Sequence, residues 1–103
     1  MKGFLLRIIV EHDAKYRDKP ICEYMAARFI EEGVSGMSVF KAVKGYGKSH
    51  KVHSHHFMHP DEPVAIEILE SKEAIDKILP FVKGAISELG HGIITLEELD
   101  IIR

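Results

Sequence analysis

Cysteine is almost absent from this chain of 103 residues: Cys22 stands alone, so no disulfide can form within it. A single thiol suits a reducing, cytoplasmic setting. An excess of cations is also missing. Fourteen Lys and Arg against sixteen Asp and Glu give a formal net charge of −2, which argues against general nucleic-acid binding. No apolar run is long enough to cross a bilayer. The run Phe4-Leu5-Leu6-Arg7-Ile8-Ile9-Val10 is short and broken by Arg7, and no small-residue cleavage site accompanies it. It reads as a strand, not as a membrane span or a leader. Internal repeats at solenoid periods and low-complexity tails are lacking too. What is present is 46% apolar and 29% charged, the composition of one globular domain over residues 1–103 with a modest core. Seven histidines make its charge sensitive to pH near 6.

Residues 4–11 are rich in aliphatic side chains and predict a buried strand. A polar connection over 11–18 follows, and Asp18 before Lys19-Pro20 suits a helix N-cap with proline in the first turn. Over 20–32, Ile21, Tyr24, Met25, Ala26 and Phe29 recur at helical spacing, and Gly33 fits the helix end. Residues 34–45 alternate, with Met37, Val39 and Val43 on one face and Ser38, Phe40, Ala42 and Lys44 on the other. That pattern predicts a second strand. A long loop spans 48–61, and 64–69 form a third strand. Ser71 caps a second helix with the stripe Ala74, Ile75, Ile78, Leu79, Val82 and Ile86; Pro80 inside it should kink or split it. Gly90-His91-Gly92 ends the helix, and 93–102 predict a fourth strand.

The order βαββαβ gives an α+β, ferredoxin-like sandwich: a four-stranded antiparallel sheet with both helices on one face. Leu5, Ile9 and Leu69 then point to the bare side. An apolar face of that size is seldom left wet on a monomer, so a homo-oligomer packing sheet against sheet is expected. The alternative is a small satellite core over the same residues.

The densest functional signal is Val43-Lys44-Gly45-Tyr46-Gly47-Lys48-Ser49-His50. Glycines let the backbone approach a ligand, and flanking lysines supply charge for an anion. A strand-ending bulge is the plainer account of the same glycines. The following loop holds His50, His53, His55, His56 and His59, and neutral imidazole binds zinc, copper or nickel. His53 and His55 would share one side of an extended segment, while His56 and His59 could meet on a helical turn. No Cys lies in the loop, and Asp61 is its nearest carboxylate, so a solvated loop competes with a divalent-metal site, which would make the chain a metal-ion binding or sensing protein. One histidine from each of several subunits would sharpen the metal case. Glu11-His12-Asp13 could do acid–base work but lacks a nucleophile or metal motif beside it, and reads as a solvated turn. Cys22 reads as a small hydrophobe in the first helical turn.

The step Val43-Lys44-Gly45-Tyr46-Gly47-Lys48 resembles the entry to the T-loop of PII signalling proteins, and Gly90-His91-Gly92-Ile93-Ile94 with the terminal Ile102-Arg103 resembles their glycine-rich turn and last strand. Five ordered pieces resemble more closely a PII-like family of unassigned function, domain-of-unknown-function family 190. They are Lys19-Pro20-Ile21-Cys22-Glu23-Tyr24, Gly33-Val34-Ser35-Gly36-Met37-Ser38-Val39-Phe40, Gly45-Tyr46-Gly47, Asp61-Glu62-Pro63-Val64-Ala65-Ile66-Glu67-Ile68, and Leu79-Pro80. The resemblance implies a PII-like homotrimer with a small ligand, an adenine nucleotide or a related phosphate-bearing molecule, in clefts between subunits. It implies a regulatory signalling protein rather than an enzyme, with the 48–61 loop switching for a protein partner such as a membrane transporter or an enzyme. No nucleic acid and no membrane insertion are expected. Carried over, the ligand site would comprise Gly45, Tyr46, Gly47, Lys48, Ser49, Lys51, Gly90, His91, Gly92 and Arg103. Ile93 stands near the place of a phosphate-binding lysine, and Arg103 is the one arginine left at the chain end, with Asp100 nearby. Fewer cations grip a triphosphate less firmly, which leaves a monophosphate, a cyclic nucleotide or another anion open.

Overall fold

The computed structural model describes residues 1–42 and 63–102, together with the backbone of Lys44–Gly45 and His53–Ser54. In chain order the elements are β1 (Lys2–Glu11), β2 (Lys15–Tyr16), β3 (Lys19–Pro20), α1 (Ile21–Glu31), β4 (Ser38–Lys41), β5 (Lys44–Gly45), β6 (His53–Ser54), β7 (Pro63–Glu70), α2 (Lys72–Leu89) and β8 (Ile93–Asp100). The main sheet has four antiparallel strands in the order β4-β7-β1-β8. With the two helices this is the expected α+β, ferredoxin-like arrangement.

Strand β1 lies inside the sheet because its pattern suits burial on both faces. Leu6, Ile8 and Val10 are buried on one side, opposite Ile68, Ile66 and Val64 of β7. Ile21, Met25 and Phe29 of α1 and Ile75, Ile78, Val82, Ala85 and Ile86 of α2 complete the same core. Tyr24 and Leu79, also expected in the helical stripes, pack against its margin. Between the helices, Arg28 stacks 4.2 Å from the Phe81 ring centroid, and its Nη1 donates to the Tyr24 hydroxyl at 3.1 Å.

Several local expectations are corrected. Asp18 is not a helix cap: it sits at φ 66 beside Arg17 at φ 53, in the two-residue turn of a small hairpin between β2 and β3. Two successive left-handed residues give the turn hand that matches strand twist. Helix α1 starts after Pro20, without a side-chain cap. Gly33, at φ 80, closes it, with its N–H donating to the Ile30 carbonyl at 3.1 Å. The second strand is shorter than its alternation suggests. The Val34 N–H is drawn back to the Phe29 carbonyl at 2.9 Å, and the Ser35 hydroxyl donates to Glu70 at 2.8 Å, so the ladder begins only at Ser38. Beyond it, Lys44–Gly45 pair separately with His53–Ser54, which interrupts the expected 48–61 loop with a short ladder. Strand β8 stops at Asp100.

Helix α2 fulfils its caps. The Ser71 hydroxyl accepts from the Ala74 N–H at 3.3 Å, and Gly90 at φ 79 ends it. Pro80 does not split it. The ring costs the Asp76 carbonyl its intrahelical donor, but both residues lie on the exposed side, where water can serve that carbonyl. The core should respond accordingly. Met25→Ala is expected to cost about 2–5 kcal/mol in a urea titration, because Met25 is fully buried between helix and sheet.

Candidate functional site

Antiparallel register decides which motifs can meet. Glu11 at the end of β1 faces Pro63 at the start of β7, Ile9 faces Ile93 at the start of β8, and Lys41 at the end of β4 faces Val64. The Ala42 N–H donates to the Pro63 carbonyl at 3.1 Å. The root of the 43–62 segment, the Glu11-His12-Asp13 turn and the Gly90-His91-Gly92 turn therefore share one end of the sheet. Gly45 and His53, one expected in a ligand site and the other in a metal site, occupy facing register positions of the β5–β6 ladder.

The glycine turn is fixed by geometry. Gly92 lies at φ 114, and a Cβ there would come 3.2 Å from Val10 Cγ1 and 3.3 Å from the Ile9 carbonyl oxygen. Backbone and space both demand glycine. The β2–β3 hairpin follows β1 in the chain, and its Tyr16 is buried and stacks edge-on against Tyr24 with centroids 4.5 Å apart. Burial raises the Tyr16 pKa; Arg17 opposes the shift, and Glu88, just before the turn, adds to it. Burial likewise raises the Cys22 pKa, which suits a packed thiol rather than an activated one.

The far end of the sheet is equally informative. The Ile101 N–H donates to the Met1 carbonyl at 2.7 Å, and the Met1 ammonium donates to the Ile101 carbonyl at 2.9 Å. Strand β8 thus carries the chain from the glycine turn to the Met1 end. Its eight residues span about 27 Å at strand rise. Within one chain the glycine turn and the approach to Arg103 are a whole strand apart. Arg103 itself lies outside the described residues, as do Tyr46, Gly47, Lys48, Ser49 and Lys51, and His50, His55, His56 and His59. Among the described residues, no three His, Cys, Asp or Glu side chains are grouped to hold a metal ion. Among the described residues, no helix is long and apolar enough to cross a membrane.

The side of the sheet away from the helices is bare and largely apolar. Register places Leu5, Arg7 and Ile9 of β1, Ala65, Glu67 and Leu69 of β7, Ile93 and Thr95 of β8, and Ser38 and Phe40 of β4 there. Phe40, Leu69 and Ile93 are each more than half exposed, at 54%, 51% and 57%. In its middle Arg7 Nε donates to Glu67 Oε2 at 2.7 Å. That pair was not among the expected functional residues. The alternation that puts Leu5 and Ile9 on this face puts Arg7 between them, and the same reading of β7 puts Glu67 beside it. A hollow of about 430 Å³, lined in part by Leu5, Met37, Phe40 and Leu69, continues the face toward Ser35.

Comparison with known proteins agrees with this architecture. The family model DUF190 (Uncharacterized ACR) matches residues 3–101. The chain belongs to the DUF190 family. It is 35% identical over 104 residues to a UPF0166 protein of Aquifex aeolicus (strain VF5), with 99% of this chain and 95% of the relative covered. Among solved structures, it resembles CPII from Thiomonas intermedia K12 bound to ADP and bicarbonate, at TM-score 0.63 and 20% identity, over 100% of this chain and 91% of that one. The apo form of CPII, a nitrogen regulatory PII-like protein, superposes at TM-score 0.69 with 14% identity, over 98% of this chain and 92% of the other. At these identities the shared property is the PII-like fold.

Two outcomes follow from this end of the sheet. Gly92→Ala should lose about 1 kcal/mol or more of stability in urea, because the side chain meets both a left-handed backbone and occupied space. Cys22 and Tyr16 titrate above their ordinary values of 9.0 and 10.0 in the folded chain. The unfolded chain then releases those protons first as pH rises. Their contribution is complete below pH 9.0 and declines through the alkaline range, and Tyr16→Phe should flatten the part of the decline above 10.0 in denaturant melts.

Proposed function

We propose that this protein is a regulatory small-molecule binder of the PII-like kind, not an enzyme. Copies assemble as a homotrimer through the bare sheet face. The ligand, an adenine nucleotide or a related phosphate-bearing molecule, sits in the crevices between subunits. The backbone of Gly45–Gly47 and the charges of Lys48 and Lys51 meet its phosphate from one subunit, with the Gly90–Gly92 turn on the same side. A neighbouring copy brings the end of its last strand, and with it Arg103, to complete the crevice. Ligand binding then alters the 48–61 segment, through which a protein partner is engaged or released.

One observation supports this reading above the others. The glycine turn and the end of β8 lie a whole strand apart in a single chain, so a site using both requires two copies. The bare apolar face offers the surface through which copies could meet. The ADP bound to CPII, a protein of the same fold, supports the ligand class.

Calorimetry with ADP, AMP and a cyclic adenine nucleotide tests the site. The wild-type chain should bind at least one of them, and Gly47→Val should abolish that binding while leaving the subunit number unchanged. Affinity untouched by Gly47→Val would contradict the placement, and no binding of any of the three would contradict the ligand class.

A further inference from the structure

We propose that Arg7 and Glu67 form the polar lock of the contact between copies of this chain: a neighbouring copy covers the bare sheet face and supplies Arg7 with acceptors beyond the one it has among the described residues. This rests on the reading that copies meet through that face, and adds which side chains govern the contact.

The pair sits at the middle of the face. Register sets Arg7 opposite Glu67 on one side and Thr95 on the other, with Leu5 and Ile9 two residues along its own strand. Ser38 faces Glu67 from β4. The Arg7 and Glu67 side chains keep 38% and 23% of their exposure, so the pair is already sunk among apolar neighbours. The subunit's own core lies on the opposite side of the sheet and gains nothing from this charge. A half-exposed pair of this kind contributes little to the stability of a single chain, roughly 0–1 kcal/mol.

Burial changes its weight. A guanidinium carries five N–H donors, and each wants an acceptor once water is removed. Among the described residues Arg7 donates one hydrogen bond, from Nε to Glu67. The terminal nitrogens need acceptors from whatever covers the face. Acyl chains or an apolar small molecule would leave them unserved. A nucleic-acid backbone would meet the carboxylates of Glu67 and of Glu97, which register sets opposite Leu5 on the same face. Neighbouring copies in the trimer present the same apolar surface with a cation and carboxylates side by side, so each can offer carboxylates to the next copy's Arg7. The hollow beside Phe40 and Leu69 belongs to the same face and would be closed by the same copy.

Sedimentation of the full chain over a dilution series tests the lock. Glu67→Gln leaves Arg7 buried without its counter-charge and should weaken assembly on the order of a hundredfold. Arg7→Met with Glu67→Leu removes both charges at similar volume and should assemble within about tenfold of wild type or more tightly. Circular dichroism at each dilution reports whether a variant is folded, and the double variant carries the test if Glu67→Gln does not fold. An assembled wild type with Glu67→Gln unchanged, or a folded double variant that dissociates as readily as is expected of Glu67→Gln, overturns the lock alone. A wild-type chain that sediments as a single copy at every concentration removes the underlying assembly instead.

Discussion

The structure depends on β1 being an inner strand with two different faces. Its hydrogen-bonding edges are both used, by β7 on one side and β8 on the other, so its residues have no freedom of register. A slip of one position would turn Leu6, Ile8 and Val10 out of the core and bring Arg7 in. That single alternation divides the molecule. One side becomes the buried layer under both helices, and the other becomes an apolar surface with one ion pair at its centre.

The same strand arrangement separates the candidate site residues. Antiparallel pairing collects the root of the 43–62 segment and the glycine turn at one end of the sheet, and Met1 and Ile101 meet at the other. No rearrangement inside a compact subunit can close a gap as long as β8. A crevice built from both ends is therefore a property of an assembly. The proposed assembly would account for the bare face and for the separation of the candidate residues together.

Much of this was legible in the sequence because it rests on local rules. Ser71 and Gly90 carry the caps of α2 in their own chemistry, and the burial of Leu6, Ile8 and Val10 follows from period-two alternation. What was not legible depends on distant partners. Arg17-Asp18 lacks the glycine of the commonest hairpin turns, so the β2–β3 hairpin read as a helix cap. The alternation of 34–45 gives no hint that Ser35 is held by Glu70, a third of the chain away, which delays the strand to Ser38. Pro80 looked like a break, yet it lies on the exposed side of α2, where a missing backbone donor is tolerated. Of the candidate site, the glycine turn and the Gly45–His53 pairing are placed, while the remaining residues from Tyr46 to His59 and Arg103 lie outside the described residues.

The most direct measurement of the central claim is native mass spectrometry of the freshly purified full chain at micromolar concentration. The account predicts one species of three times the chain mass, carrying a retained adenine nucleotide or gaining one when it is added. A stable single-chain species that takes up no nucleotide would contradict it.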